Sequence, residues 1–249
     1  MRLIRNIQLL ACTALCAFPV QAQQFVCMES ALGVFCMQML PESAPLTVSN
    51  FLNYVTDGDY KDSMIHRSVP DFIIQGGGFY GSAEKLGLAV PADPAVKNEF
   101  SRSNLRGTVA MAKLGSDPNS ATNQWFVNLA SNAANLDNQN GGFTVFAEIV
   151  TGMDVVDAIA GLRLVNLAST LGSAFNTVPV TTDPATNTIA IDDLVVFRDV
   201  WATDTLPSPY YCTPKSQGGT LTEFCGTGLT FPVQVGGAFY SATMTLQSA

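Results

Sequence analysis

Residues 66–79 read His66-Arg67-Ser68-Val69-Pro70-Asp71-Phe72-Ile73-Ile74-Gln75-Gly76-Gly77-Gly78-Phe79, a local grammar that narrows the folds open to this 249-residue chain. Arg67 keeps its proton at any relevant pH, so a chain that sets it near Phe72 and Ile73 must pair it or aim it at a ligand. On a strand Ile73 and Gln75 share a face that is half apolar and half hydrogen-bonding, and Gln75 can orient the arginine. The three glycines permit backbone angles closed to other residues. By itself the segment reads either as a buried strand with a structural arginine, ended by a glycine turn, or as a strand that faces a ligand. A phosphate loop is excluded, because neither Gly-Lys-Ser/Thr nor G-x-G-x-x-G follows.

A second stretch completes the first. It reads Gly107-Thr108-Val109-Ala110-Met111-Ala112-Lys113 and, after a polar loop, Ser120-Ala121-Thr122-Asn123-Gln124-Trp125-Phe126-Val127-Asn128. Together the two resemble the cyclophilin family of peptidyl-prolyl isomerases, whose hallmarks are F-H-R-x-x-P-x-F-x-x-Q-G-G, then G-x-x-x-M-A followed by S-Q-F-F. Here those hallmarks stand as Ile65 to Gly77 and Asn123-Gln124-Trp125-Phe126, at matching spacing. The similarity is to the single-domain cyclophilins of the bacterial envelope, and it covers roughly residues 25–162 plus a later strand. It implies a mainly β fold, an eight-stranded antiparallel barrel capped by two α-helices, with a small β-rich C-terminal extension. It implies an isomerase without cofactor or metal.

Arg2 and Arg5 precede an apolar run from Ile7 to Val20, and Val20-Gln21-Ala22 offers a small-residue cleavage site, so residues 1–22 read as a secretory signal peptide. The run is short for a membrane span, which needs about 20 apolar residues. A lipoprotein processing site at Leu9-Leu10-Ala11-Cys12 would leave too little apolar sequence for export. The expected mature chain is periplasmic or secreted. Removing residues 1–22 takes two of the twelve basic residues and none of the twenty acidic ones, which leaves ten against twenty, a net charge of −10. That balance argues against nucleic acid or an anionic membrane as partner. The expected partners are proline-containing peptides and unfolded exported proteins, and the expected state is a monomer.

Four cysteines remain after such cleavage: Cys27, Cys36, Cys212 and Cys225. Residues 25–28 and 34–39 read as a hairpin around Ala31-Leu32-Gly33 that would set Cys27 near Cys36, so the expected pairs are 27–36 and 212–225, one of three possible pairings. A single histidine and no C-x-x-C make zinc improbable. Pro45 suits a first helical turn, Val48, Phe51, Leu52 and Val55 form an apolar stripe, and Gly58 would end the helix. Residues 108–112, 124–129 and 143–150 read as barrel strands, and residues 151–161 as the second helix with Val156, Ile159 and Ala160 inward. Residues 163–188, rich in Asn, Thr, Ser and Pro, read as a surface loop, and residues 191–197 as a strand that closes the barrel. The expected isomerase domain is 23–200 and the extension 201–249. In the extension a Gly236-Gly237 turn would pair Val235 with Ala238, Val233 with Tyr240, Phe231 with Ala242 and Leu229 with Met244, all on one apolar face that must pack on the barrel or on a partner, the barrel being the expectation.

Carried over by position, the resemblance makes Arg67 the donor to the proline carbonyl and nitrogen, with Gln75 holding it. Phe72, Ile73, Phe126 and Leu136 form the proline socket, Ala112 and Lys113 offer backbone groups to the residue before proline, and Gln124 lies on the neighbouring subsite. Phe143 stands near a family pocket position, Asn135 stands where several eukaryotic members carry tryptophan, and Trp125 points to the core. His66 is not expected to act as acid or base, since isomerisation needs no proton transfer. The rival reading is a cyclophilin-like binding module or holdase for proline-containing segments with little catalysis.

Overall fold

Strands β1 (Phe25–Ser30) and β2 (Gly33–Met39) form the expected hairpin in the computed structural model, which describes residues 24–206 and the backbone of four short strands beyond them. Cys27 lies directly opposite Cys36 in the register, both are buried, and a disulfide joins them. The expected signal peptide, the 212–225 pair and the Leu229–Met244 pair lie outside the described residues.

Helix α1 (Pro45–Asp57) begins with proline in its first turn and ends at Gly58, whose φ of 77° is the left-handed conformation that glycine adopts without strain. Its first amides are met from far along the chain: the carboxylate of Glu99 accepts from the N–H groups of Leu46 (3.1 Å) and Thr47 (2.8 Å). An acid at this end also complements the helix dipole.

The following elements are β3 (Arg67–Val69), β4 (Ile73–Gly76), β5 (Thr108–Met111), β6 (Trp125–Asn128), α2 (Ala133–Leu136), β7 (Val145–Thr151) and α3 (Met153–Ala160). Then come β8 (Arg163–Val165), α4 (Ala168–Leu171), β9 (Val178–Val180) and β10 (Asp199–Thr203). Eight strands form one antiparallel sheet in the order β10-β1-β2-β7-β5-β6-β4-β3. Its two ends meet just before β3 and β10, where Ile65 N–H donates to Val195 carbonyl (3.0 Å) and Phe197 N–H to Ser63 carbonyl (2.8 Å). The sheet therefore curls into the expected barrel, with α1 packed on β10 and β7, and α3 on β2 and β4.

Side chains alternate across each strand, and in β4 to β7 both faces are used. Ile74, Val109, Met111, Trp125, Val127 and Phe146 fill the barrel core. Their immediate neighbours Ile73, Ala110, Phe126 and Val145 join Leu40 and Leu136 in a second apolar cluster on the other face.

Two expectations are corrected. Residues 163–188 are not a loop: β8 pairs with β9, and Phe175, Val178 and Val180 pack with Met64 and Leu194 in a third buried cluster. The apolar residues Leu167, Leu171, Phe175, Val178 and Val180 keep no constant spacing, because the backbone passes from a helical turn through a 3-10 turn to a strand, so no single period marks them. This segment flanks the sheet edge, with Ser68 N–H donating to Thr177 carbonyl at 2.8 Å. Residues 191–197 are not one strand either. A 3-10 turn occupies Ile191–Asp193, Leu194 bridges to Val180 of β9, Val196 bridges to Met64 at the closure, and the edge strand is β10, which runs past the expected boundary at 200 to pair Thr203 with Phe25. In the extension, β11 (Ser216–Gln217) pairs with β12 (Thr220–Leu221). Strand β13 (Thr230–Val235) pairs with β14 (Ala238–Thr243) in the expected register, Val235 with Ala238, Val233 with Tyr240 and Phe231 with Ala242.

The Cys27–Cys36 bond closes a short loop, so the double variant Cys27→Ala/Cys36→Ala is expected to lose about 2–3 kcal/mol. For a domain of this size that is roughly 5–10 °C in Tm. An unchanged denaturation midpoint would show that the strand ladder holds the hairpin without the bond.

Candidate active site

The register of the sheet assembles a row of residues on its outer face. Arg67 on β3 is opposite Gln75 on β4, Gln75 is opposite Phe126 on β6, and Phe126 is opposite Ala110 on β5. Directly opposed residues of an antiparallel pair point to the same side. One side of the row is cationic and amide-bearing, and the other is apolar. Ile73, one pleat along β4, extends the apolar part.

Above this row lies a cleft of about 320 Å³. Its polar rim holds Arg67, Gln75 and Lys113, and its apolar lining is Phe72, Ile73, Ala112, Phe126, Leu136 and Phe143. Phe126 and Phe143 meet edge to face at 5.8 Å between ring centroids. Gln124 is the exception among the expected site residues: it does not line the cleft, and its Oε1 accepts from Gln75 Nε2 at 2.9 Å instead. Gln75 Oε1 in turn accepts from Arg67 Nη1 at 3.2 Å, giving a chain Gln124–Gln75–Arg67.

Among the described residues no carboxylate lies within ion-pair distance of Arg67. Burial lowers the guanidinium from its usual value, yet arginine stays a cation in proteins. The triple glycine shapes this end of the cleft. Gly77 has φ 79° and a Cβ there would lie 2.5 Å from the Asn123 carbonyl, while a Cβ on Gly78 would meet the Gln124 side chain at 2.7 Å. Glycine is what lets the chain pass Gln124 closely enough for it to reach Gln75.

Ala112 and Lys113 differ in which backbone groups are open. Ala112 N–H donates to Gln124 carbonyl at 2.9 Å, so Ala112 can offer only its carbonyl. The N–H and C=O of Lys113 have no hydrogen-bond partner among the described residues. The Lys113 ammonium donates to the carbonyls of Asn140 (2.7 Å) and Gly142 (2.6 Å) and sits 4.8 Å from the Phe143 ring centroid. Burial lowers its pKa from the usual lysine value.

Sequence reasoning missed Gln139 as a lining residue, and it named Asn135 only as a departure from the family. It also missed a buried asparagine network behind the wall. Asn132 Nδ2 donates to Phe72 carbonyl (2.9 Å) and to Asn128 Oδ1 (2.8 Å), and Asn128 Nδ2 donates to Asn104 Oδ1 (3.2 Å) and Thr108 Oγ1 (2.9 Å). Asn104 Nδ2 donates to Asp137 Oδ1 (3.0 Å) and Phe143 carbonyl (3.1 Å). The network thus ties the backbones that carry Phe72 and Phe143. Its only signal in the sequence is a scatter of asparagines, which as readily marks turns.

His66 faces away from this site. It is 1 % exposed, lies beside the rings of Phe79 and Phe175, and its pKa is lowered to about 4 by burial and by the Arg67 charge. Trp125 is fully buried in the core, as its strand position requires.

The curled antiparallel barrel and the arginine beside an apolar cleft define a cyclophilin-like protein. The family model described as cyclophilin type peptidyl-prolyl cis-trans isomerase matches residues 25–183. The peptidyl-prolyl cis-trans isomerase of Acinetobacter baylyi is 40% identical over 144 residues, covering 57% of this chain and 74% of that protein. Isomerase B of Escherichia coli is 40% identical over 136 residues, covering 52% and 80%. Among solved structures, a Cryptosporidium parvum cyclophilin shares the fold with a TM-score of 0.55 at 20% identity, covering 74% of this chain and 99% of its own. The chain belongs to the cyclophilin-type peptidyl-prolyl cis-trans isomerase family, and it is an isomerase.

Two outcomes are expected. His66 takes a proton more readily in the unfolded chain, near 6.5, than in the fold, near 4. The unfolded state therefore binds more protons in that window, and stability is full above about pH 6.5 and falls as pH drops toward 4, by about 3 kcal/mol in all. His66→Phe should flatten this part of the pH–stability curve; an unchanged slope would assign the loss to other groups. Asn104→Ala leaves the partners of Asn104 unsatisfied, and should cost about 2–4 kcal/mol and raise KM more than it lowers kcat. An intact KM in the folded variant would detach the network from the cleft wall.

Proposed function

We propose that the chain accelerates X–Pro isomerisation through a fixed donor, Arg67, acting on the twisted prolyl amide, during the folding of exported proteins. The amide's partial double bond sets a barrier of about 18–20 kcal/mol. No bond has to be made or broken to lower it. In the twisted state the prolyl nitrogen has lost conjugation and can accept a hydrogen bond, which a preorganised donor supplies without reorganising. The observation that carries this reading is Arg67 at the cleft, without a carboxylate partner among the described residues and held by Gln75 at 3.2 Å.

In the proposed pose the proline ring enters the apolar end formed by Ile73, Phe126 and Leu136, with Phe72 and Phe143 as walls. Lys113 offers its free N–H and C=O to the preceding residue, and the Ala112 carbonyl points to the same strand of substrate. Gln75, braced by Gln124, holds Arg67 and touches the substrate backbone. The Cryptosporidium parvum cyclophilin has also been solved in the presence of the dipeptide Ala-Pro, with a TM-score of 0.52 to this chain, and a segment of that kind suits the cleft. Export is supported by the leader-like residues 1–22 and by the Cys27–Cys36 bond, which an oxidising compartment preserves.

Arg67→Ala is expected to lose about a hundredfold in kcat/KM on a short X–Pro peptide, roughly 3 kcal/mol, with an unchanged Tm. A loss below about threefold in the folded variant would remove Arg67 from the mechanism.

A further inference from the structure

We infer that the cleft prefers proline segments carrying a carboxylate on the N-terminal side of the X–Pro bond, with Lys113 as the residue that sets this preference. The inference rests on the isomerase reading above and names its substrate class. The chain has twenty acidic and twelve basic residues, yet the cleft lining holds two cations, Arg67 and Lys113, and no acid. Neither cation is within ion-pair distance of a carboxylate among the described residues.

The two cations have different work. Arg67 is bound to Gln75 and, in the proposed pose, faces the prolyl amide. Lys113 donates two of its three ammonium hydrogens to the carbonyls of Asn140 and Gly142, and the third has no acceptor among the described residues. Neutral carbonyls and the Phe143 ring fix the position of the charge without cancelling it. Asp117 is the acid whose charge reaches Lys113, but it lies beyond ion-pair distance and offsets that charge only in part. A substrate carboxylate would meet a placed, unneutralised cation, and in a partly dry cleft that attraction exceeds its value in water.

The acidic surface does not reverse this. Exposed charges beyond about 8 Å are largely screened at physiological salt, so the nearby lysine decides. The backbone of Lys113 faces the residue before proline in the proposed pose, which brings its ammonium within reach of side chains on that part of the segment.

The test compares X–Pro peptides with Glu or Gln at each of the two residues preceding proline, using the wild type, Lys113→Gln and Lys113→Arg. Glutamine keeps two N–H donors on this side chain while removing the charge. A Glu-over-Gln ratio in kcat/KM of about three- to tenfold is expected at one position, shrinking with added salt. It should fall to about one in Lys113→Gln and return in Lys113→Arg. Because both peptides meet the same loop, a purely structural effect of the substitution cancels in the ratio. A ratio near one at both positions in the wild type, or one that survives in Lys113→Gln, overturns the inference and leaves the isomerase reading standing. Failure to accelerate any of the peptides would overturn that reading itself.

Discussion

The two-residue alternation of β4, β6, β5 and β7 is the constraint on which this structure turns. One face of these strands fills the barrel with Ile74, Trp125, Val127, Val109 and Phe146, and the other sets Ile73, Phe126, Ala110 and Val145 in a second apolar cluster, of which Ile73 and Phe126 line the cleft. A strand cannot slip by one residue without exchanging the two sets. Core packing and site geometry are therefore held by the same register. This arrangement also explains why β5 and β6 are buried along their whole length.

Onto that floor the chain sets cations held only by neutral groups. A carboxylate partner would hold Arg67 more tightly, but it would also occupy guanidinium hydrogens that Gln75 leaves open. The amide of Gln75 orients the guanidinium and leaves its charge available, and Gln124 keeps that amide from turning. Lys113 follows the same rule with two backbone carbonyls. Behind the apolar wall the asparagines do the opposite work: Asn104, Asn128 and Asn132 are buried and hydrogen-bonded to one another, so they add rigidity without leaving donors for a ligand. Free donors face the cleft, and satisfied ones stand behind it.

The segment after α3 shows where reading by composition fails. Asn, Thr, Ser and Pro dominate it, yet a few apolar residues suffice to build a third cluster once Met64 and Leu194 supply the other half. Those two residues are 130 positions apart in the chain, so neither local stretch displays the cluster. The same holds for Glu99, which caps a helix that begins 54 residues earlier at Pro45. For Gln124 the family resemblance implies a place on the neighbouring subsite. Its side chain is drawn away by Gln75, a partner 49 residues off.

By itself the sequence determined the elements whose signals are local. These include the helix framed by Pro45 and Gly58, the hairpin that sets Cys27 against Cys36, the pairing around Gly236-Gly237, and the motif residues from Arg67 to Phe126. Each depends on side-chain period, a restricted φ or a short turn, all of which are properties of neighbouring residues. Only the tertiary structure decided how the barrel closes, which amide braces the arginine, and where the lysine ammonium rests. Those outcomes depend on hydrogen bonds between residues far apart in the chain. Such bonds form only after the sheet has curled, and nothing in local propensity encodes which distant acceptor will be within 3 Å.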